Sequence, residues 1–143
     1  MKRLHVSLAV NDLTASVGFY TDLFGARPTV LKDDYARWML EDPRVNFSVR
    51  RQDGTPGVAH LGIQAEDAAS LEDLYGRVKR ASGPVLDEGE TICCYSRSRK
   101  RWTTDPDGIP WEAFLTHGDA DQSAEQGSRT RPPVPGCCAS QPS

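Results

Sequence analysis

Five side chains in this sequence have the types and spacing to do chemistry: His5, His60, Glu112, Cys93 and Cys94. The two histidines occupy matching contexts. His5-Val6-Ser7-Leu8-Ala9-Val10-Asn11-Asp12 and His60-Leu61-Gly62-Ile63-Gln64-Ala65-Glu66-Asp67 share the pattern His-x-x-apolar-x-apolar-x-Asp at a constant offset of 55 residues. Side chains alternate faces along a strand, so His5, Ser7 and Ala9 share one face while Val6, Leu8 and Val10 share the other. His60, Gly62 and Gln64 divide from Leu61, Ile63 and Ala65 in the same way. The aliphatic faces suit packing under helices, and the His faces suit a ligand cavity.

Glu112 is a lone carboxylate in the apolar run Pro110-Trp111-Glu112-Ala113-Phe114-Leu115. Burying an isolated carboxylate is costly unless it is paired or binds a metal. Aligning the turns Asp42-Pro43 and Asp105-Pro106 sets Ser48, a poor ligand, opposite Glu112. The expected site is therefore His5, His60 and Glu112, with no ligand at the fourth symmetric position. Two imidazoles and one carboxylate with open positions suit a non-haem Fe(II) oxygenase, and Zn, Mn, Ni or Co fit the same set. His117 has no repeat partner and reads as an exposed strand-end residue.

The four cysteines form two adjacent pairs, Cys93-Cys94 and Cys137-Cys138. Neighbours bridge each other only through a strained ring, because a disulfide needs Cα atoms about 4.4–6.8 Å apart. All four read as free thiols in a reducing compartment. Adjacent thiols chelate soft species such as As(III) or Cd(II), and the competing reading is one buried cysteine beside an incidental one. The basic run Arg97-Ser98-Arg99-Lys100-Arg101 reads as a solvated loop, or as a rim over the cavity that could favour the thiolates.

Two similar halves position these groups. In the first, Leu13, Val17, Tyr20 and Phe24 recur at helical spacing between an N-cap at Asp12 and a stop at Gly25. In the second, Leu71, Leu74, Tyr75 and Val78 do so, with Ser70 and Asp73 as a capping box and Gly83-Pro84 closing the helix. Strands are expected over Thr29–Leu31, Tyr35–Leu40 and Val45–Arg50, then over Pro84–Asp87, Thr91–Tyr95 and Pro110–Thr116. Each half reads β-α-β-β-β, an α+β class in which paired modules form a curved mixed sheet around a metal-binding cavity. Module 1 spans about residues 1–52 and module 2 about 57–117. Residues 118–143 are rich in Ser, Gln, Gly and Pro and read as a disordered tail carrying Cys137 and Cys138.

Composition sets the outer limits. The chain has 143 residues, a net charge of −3 and 38% hydrophobic residues, enough for one folded domain. Its acidic balance (pI ≈ 5.6) argues against nucleic acid as a partner. No apolar run approaches the roughly 18 residues of a membrane span. No secretory leader is evident after Met1, and a cytoplasmic location is expected.

The paired His-bearing modules resemble the vicinal-oxygen-chelate superfamily of glyoxalase I, extradiol dioxygenases and the fosfomycin and bleomycin resistance proteins. More closely, His5 to Leu13, Phe19-Tyr20-x-x-Leu23-Phe24-Gly25, Val58 to Gln64 and Cys93-Cys94-Tyr95 are similar to ArsI-type C–As lyases and to CadI-like cadmium-induced proteins. Asp105-Pro106-Asp107-Gly108 and Trp111-Glu112 strengthen the likeness, which covers about residues 1–117. It implies Fe(II)- and O2-dependent cleavage of the carbon–arsenic bond of trivalent organoarsenicals, methylarsenite or aromatic arsenicals, yielding arsenite. His5, His60 and Glu112 would hold iron. Cys93 and Cys94 would bind arsenic as thiolates. Cys137 and Cys138 have two readings, capture of substrate on a flexible tether or a dispensable tail. The rival readings are thiol-based sequestration of Cd(II) or As(III) without catalysis, and another dioxygenase or thiol transferase on the same fold. The sequence leaves open whether each chain closes its own site or a homodimer shares sites.

Overall fold

The computed structural model describes residues 1–81, 85–93 and 96–119, and within these the side chains of 87–93, 96–98 and 117–119 are left out of the description. The order is β1 (Arg3–Val10), α1 (Leu13–Phe24), β2 (Val30–Leu31), β3 (Tyr35–Glu41), β4 (Arg44–Arg51), β5 (Gly57–Ala65), α2 (Ala68–Arg80), β6 (Val85–Cys93), β7 (Ser96–Thr104) and β8 (Pro110–Asp119). Each half is β-α-β-β-β, as the repeat predicts. One eight-stranded mixed sheet runs β2-β3-β4-β1-β5-β8-β7-β6. Antiparallel pairing of β1 with β5 joins the halves, and each first strand runs parallel to its module's last, β1 to β4 and β5 to β8.

The helices form where the sequence punctuates them. Asp12 accepts a hydrogen bond from the Ala15 N–H, satisfying a free donor of the first turn. Gly25 ends α1 at φ 64°, a left-handed conformation that favours glycine. Leu13, Val17, Tyr20 and Phe24 then pack on Ala36, Trp38, Phe47 and Val49, with Val6, Leu8 and Val10 beneath. In module 2, Leu71, Leu74 and Tyr75 cover Ala65, Ala113 and Leu115. Both apolar strand faces lie under a helix, as alternation requires.

Four expectations need correction. The cap of α2 is Asp67, which accepts from the Ser70 N–H, so the helix begins before the proposed Ser70/Asp73 box. The fragments Pro84–Asp87 and Thr91–Tyr95 are replaced by one strand, β6, which bridges the Gly89 interruption with a register shift between Asp87 and Gly89. The basic run is strand rather than loop: residues 96–104 form β7, hydrogen-bonded to β6 and β8. Backbone pairing there overrides the polar composition. The last strand also passes the expected boundary at 117, since Gly118 and Asp119 pair with Arg97 and Ser96. Gly83-Pro84 and the expected tail from residue 120 lie outside the described residues.

Candidate metal centre

The sheet face away from the helices gathers the polar residues. His5, Ser7, Asn46, Ser48, His60, Lys100 and Glu112 are all buried there. Register brings the three expected ligands together: His5 lies across from Gly62 on β5, and Gly62 lies across from Glu112 on β8. Their ligand atoms all fall within 4.8 Å of one another. The two Nε2 atoms are 3.0 Å apart, and Glu112 Oε2 is 3.0 Å from His60 Nε2 and 4.0 Å from His5 Nε2.

The donor set fits a divalent cation. His5 Nδ1 stands 3.0 Å from the Asn46 carbonyl, which can only accept, so Nδ1 carries the hydrogen and Nε2 presents its lone pair to the cluster. Such an outer hydrogen bond is also how a metal-binding imidazole is oriented. Three electron-rich atoms at these separations need a shared proton or a cation between them. His60 Nδ1 makes no hydrogen bond among the described residues.

Electrostatics favour the ligating protonation states. Burial pushes His5 down to about 4, and the opposing attraction of Glu112 does not restore it. Burial alone would raise Glu112, but Lys100, His60 and His5 together hold its carboxyl well below the usual carboxylate range. The imidazole of His5 and the carboxylate are thus ready as a neutral donor and an anion.

Two neighbours that sequence reasoning missed shape the site. Lys100 is 2% exposed, and its Nζ lies 3.2 Å from Glu112 Oε1. Its signal was strand alternation: Lys100 shares a face with Trp102, whereas Arg99 and Arg101 share the other. Arg99 reaches Glu72 of α2 at 3.7 Å, and Arg101 lies over the Tyr75 ring at 4.0 Å. Lys100 and Arg101 therefore have partners other than the thiols for which the basic run was considered. The second neighbour is Gly62, where an added Cβ would meet the Glu112 carbonyl oxygen at 2.7 Å. Trp102 and Phe114 stand edge-on to His60 and His5 at 5.1 and 5.2 Å and wall the cluster.

Ser48 occupies the predicted twin position. Ser7 pairs with Ser48 in module 1 as Gly62 pairs with Glu112 in module 2. Cys93 is the last residue of β6, opposite Ser96. The Cys93 side chain, Cys94, Cys137 and Cys138 lie outside the described residues, as does the side chain of His117.

The sequence profile described as Glyoxalase/Bleomycin resistance protein/Dioxygenase superfamily matches residues 2–113. The chain belongs to this superfamily. Within it, the chain is 40% identical over 148 residues to a Trivalent organoarsenical cleaving enzyme of Bacillus sp. (strain MD1), covering 99% of this chain and 86% of that protein. It is 31% identical to the Cadmium-induced protein CadI of Mycobacterium bovis, over 85% of this chain and 80% of the relative. The superfamily fold also appears in the Mn(II)-bound glyoxalase of Novosphingobium aromaticivorans, with a TM-score of 0.60 at 20% identity, covering 89% of this chain and 45% of that one.

Proposed function

We propose that this protein cleaves the carbon–arsenic bond of trivalent organoarsenicals, methylarsenite or aromatic arsenicals, in an Fe(II)- and O2-dependent reaction that releases arsenite. The observation that carries the reading is the match, over almost the whole chain, to a relative named for cleaving trivalent organoarsenicals. The convergence of His5, His60 and Glu112 supports it, because these residues would hold the iron. When bound, Fe(II) supplies the electrons and open coordination positions that O2 activation needs. The residues do the rest. Cys93 and Cys94 hold trivalent arsenic as thiolates, converting an encounter in solution into a positioned one. Trp102 and Phe114 keep bulk water from the ligands. Cys137 and Cys138 capture substrate ahead of the site, and the protein works in the cytoplasm.

The test is turnover of methylarsenite by protein loaded anaerobically with Fe(II) and then exposed to O2, with arsenic species separated and quantified. Arsenite should appear only with both Fe(II) and O2. His60→Ala should lose stoichiometric iron, and full loading with full turnover in that variant would remove the triad assignment. Cys93→Ser should keep iron and lose methylarsenite affinity; unchanged affinity would remove the thiol role. The likeness to a cadmium-induced protein favours one other reading, sequestration of Cd(II) or As(III). Binding of methylarsenite without conversion in the same assay would establish it.

A further inference from the structure

The two oxygens of Glu112 face different cations-to-be. Oε2 points to the imidazole pair, 3.0 Å from His60 Nε2, while Oε1 lies 3.2 Å from the Lys100 ammonium. We infer that Lys100 is a positioning residue that restricts Glu112 to one-oxygen ligation and so keeps a coordination position open on the metal. The inference rests on the triad reading above and adds a residue to it.

The argument is geometric and electrostatic. A metal held by both carboxylate oxygens must sit near the bisector of the group, in contact with Oε1 as well as Oε2. Lys100 already bonds to Oε1, and a second cation brought to that oxygen would be repelled at short range in a buried site. Lys100 cannot easily withdraw, being 2% exposed on a central stretch of β7, with its Nζ 5.8 Å from the centre of the Trp102 ring. Its strand is locked on both edges, to β6 and to β8. The ion pair also compensates the buried carboxylate before any metal arrives. That structural service alone does not require the oxygens to be divided; the division is what bears on coordination.

Mn(II) is a suitable probe, because water-proton relaxation counts the exchangeable waters on the bound ion. Lys100→Met should bind Mn(II) at least as tightly as the wild type but lose about one exchangeable water, as Oε1 turns onto the metal. Lys100→Arg, which keeps a cation beside Oε1, should restore the wild-type water count. An unchanged count in Lys100→Met would overturn the inference while leaving the triad intact. A wild-type chain that binds no Mn(II) or Fe(II) would overturn both. Should Lys100→Met not fold, infrared difference spectra of the wild-type Mn(II) form with 13C-glutamate decide the matter. A wide separation of the Glu112 carboxylate stretches, the mark of one-oxygen ligation, is expected, and a narrow one overturns the inference.

Discussion

Glu112 is held by a lysine, by two imidazoles and by the absence of a side chain at position 62. Gly62→Ala would drive a methyl group against the Glu112 carbonyl, where only 2.7 Å is available. The neighbour is backbone, so β8 must move. We expect a loss of about 1–3 kcal/mol in stability and weaker metal binding, both measurable by metal-free melts and Mn(II) titration. Acid should also loosen the metal-free protein. His5 is neutral in the fold down to about 4, while the unfolded chain takes up that proton near 6.5. Between those values the unfolded state binds more protons, so stability falls as pH drops through the window, by on the order of 3 kcal/mol. Glu112, held below its ordinary value, adds a further loss at still lower pH. Denaturant melts of metal-free protein at pH 7 and pH 4 check this; equal midpoints would contradict it. The three candidate ligands were legible because the histidines hold matching positions in the repeat and Glu112 interrupts an apolar run. Lys100 was not, since a lysine among arginines looks solvated until its register with β8 is known.

At the scale of elements, α1 was legible at residue resolution, whereas the start of α2 and the β6–β7 pair were not. Asp12 and Gly25 are strong punctuation. By contrast, the reading of Ser70 as the cap of α2 passed over Asp67, the repeat mate of Asp12, whose carboxylate accepts from the Ser70 N–H at 2.7 Å. Asp67→Ala should therefore cost about 1 kcal/mol, and Ser70→Ala less, as thermal melts of the two variants would show. Leu71, on the inner face of α2, is fully buried, and Leu71→Ala should cost about 2–5 kcal/mol through the cavity it leaves. The continuity of β6 and the whole of β7 eluded the sequence reading because charged and small residues dominate them, while backbone pairing defines them. That pair carries Cys93 at the end of one arm and both Lys100 and Trp102 along the other.

In the whole molecule, the candidate metal site spans the joint between modules, with His5 from the first and His60 and Glu112 from the second. A bound divalent ion should therefore fasten one half to the other. Loading at 100 times the dissociation constant should add about 2.7 kcal/mol to stability, and a chelator should lower the melting temperature correspondingly. The same joint has a second consequence, which lies in the pairing of Ser7 with Ser48 and of Gly62 with Glu112. A half-turn about the seam exchanges the histidines and carries the carboxylate's place onto the serine's, so the scaffold has two seats for a single acid. Exchanging Ser48 and Glu112 would offer an ion the same three ligands turned around. The seat without an acid would then be the one beside Lys100 and Trp102, whereas at present it is the one beside their register counterparts, Tyr35 and Arg37. A duplicated fold of this kind can trade the walls of its reaction chamber while leaving the ion's ligands alone.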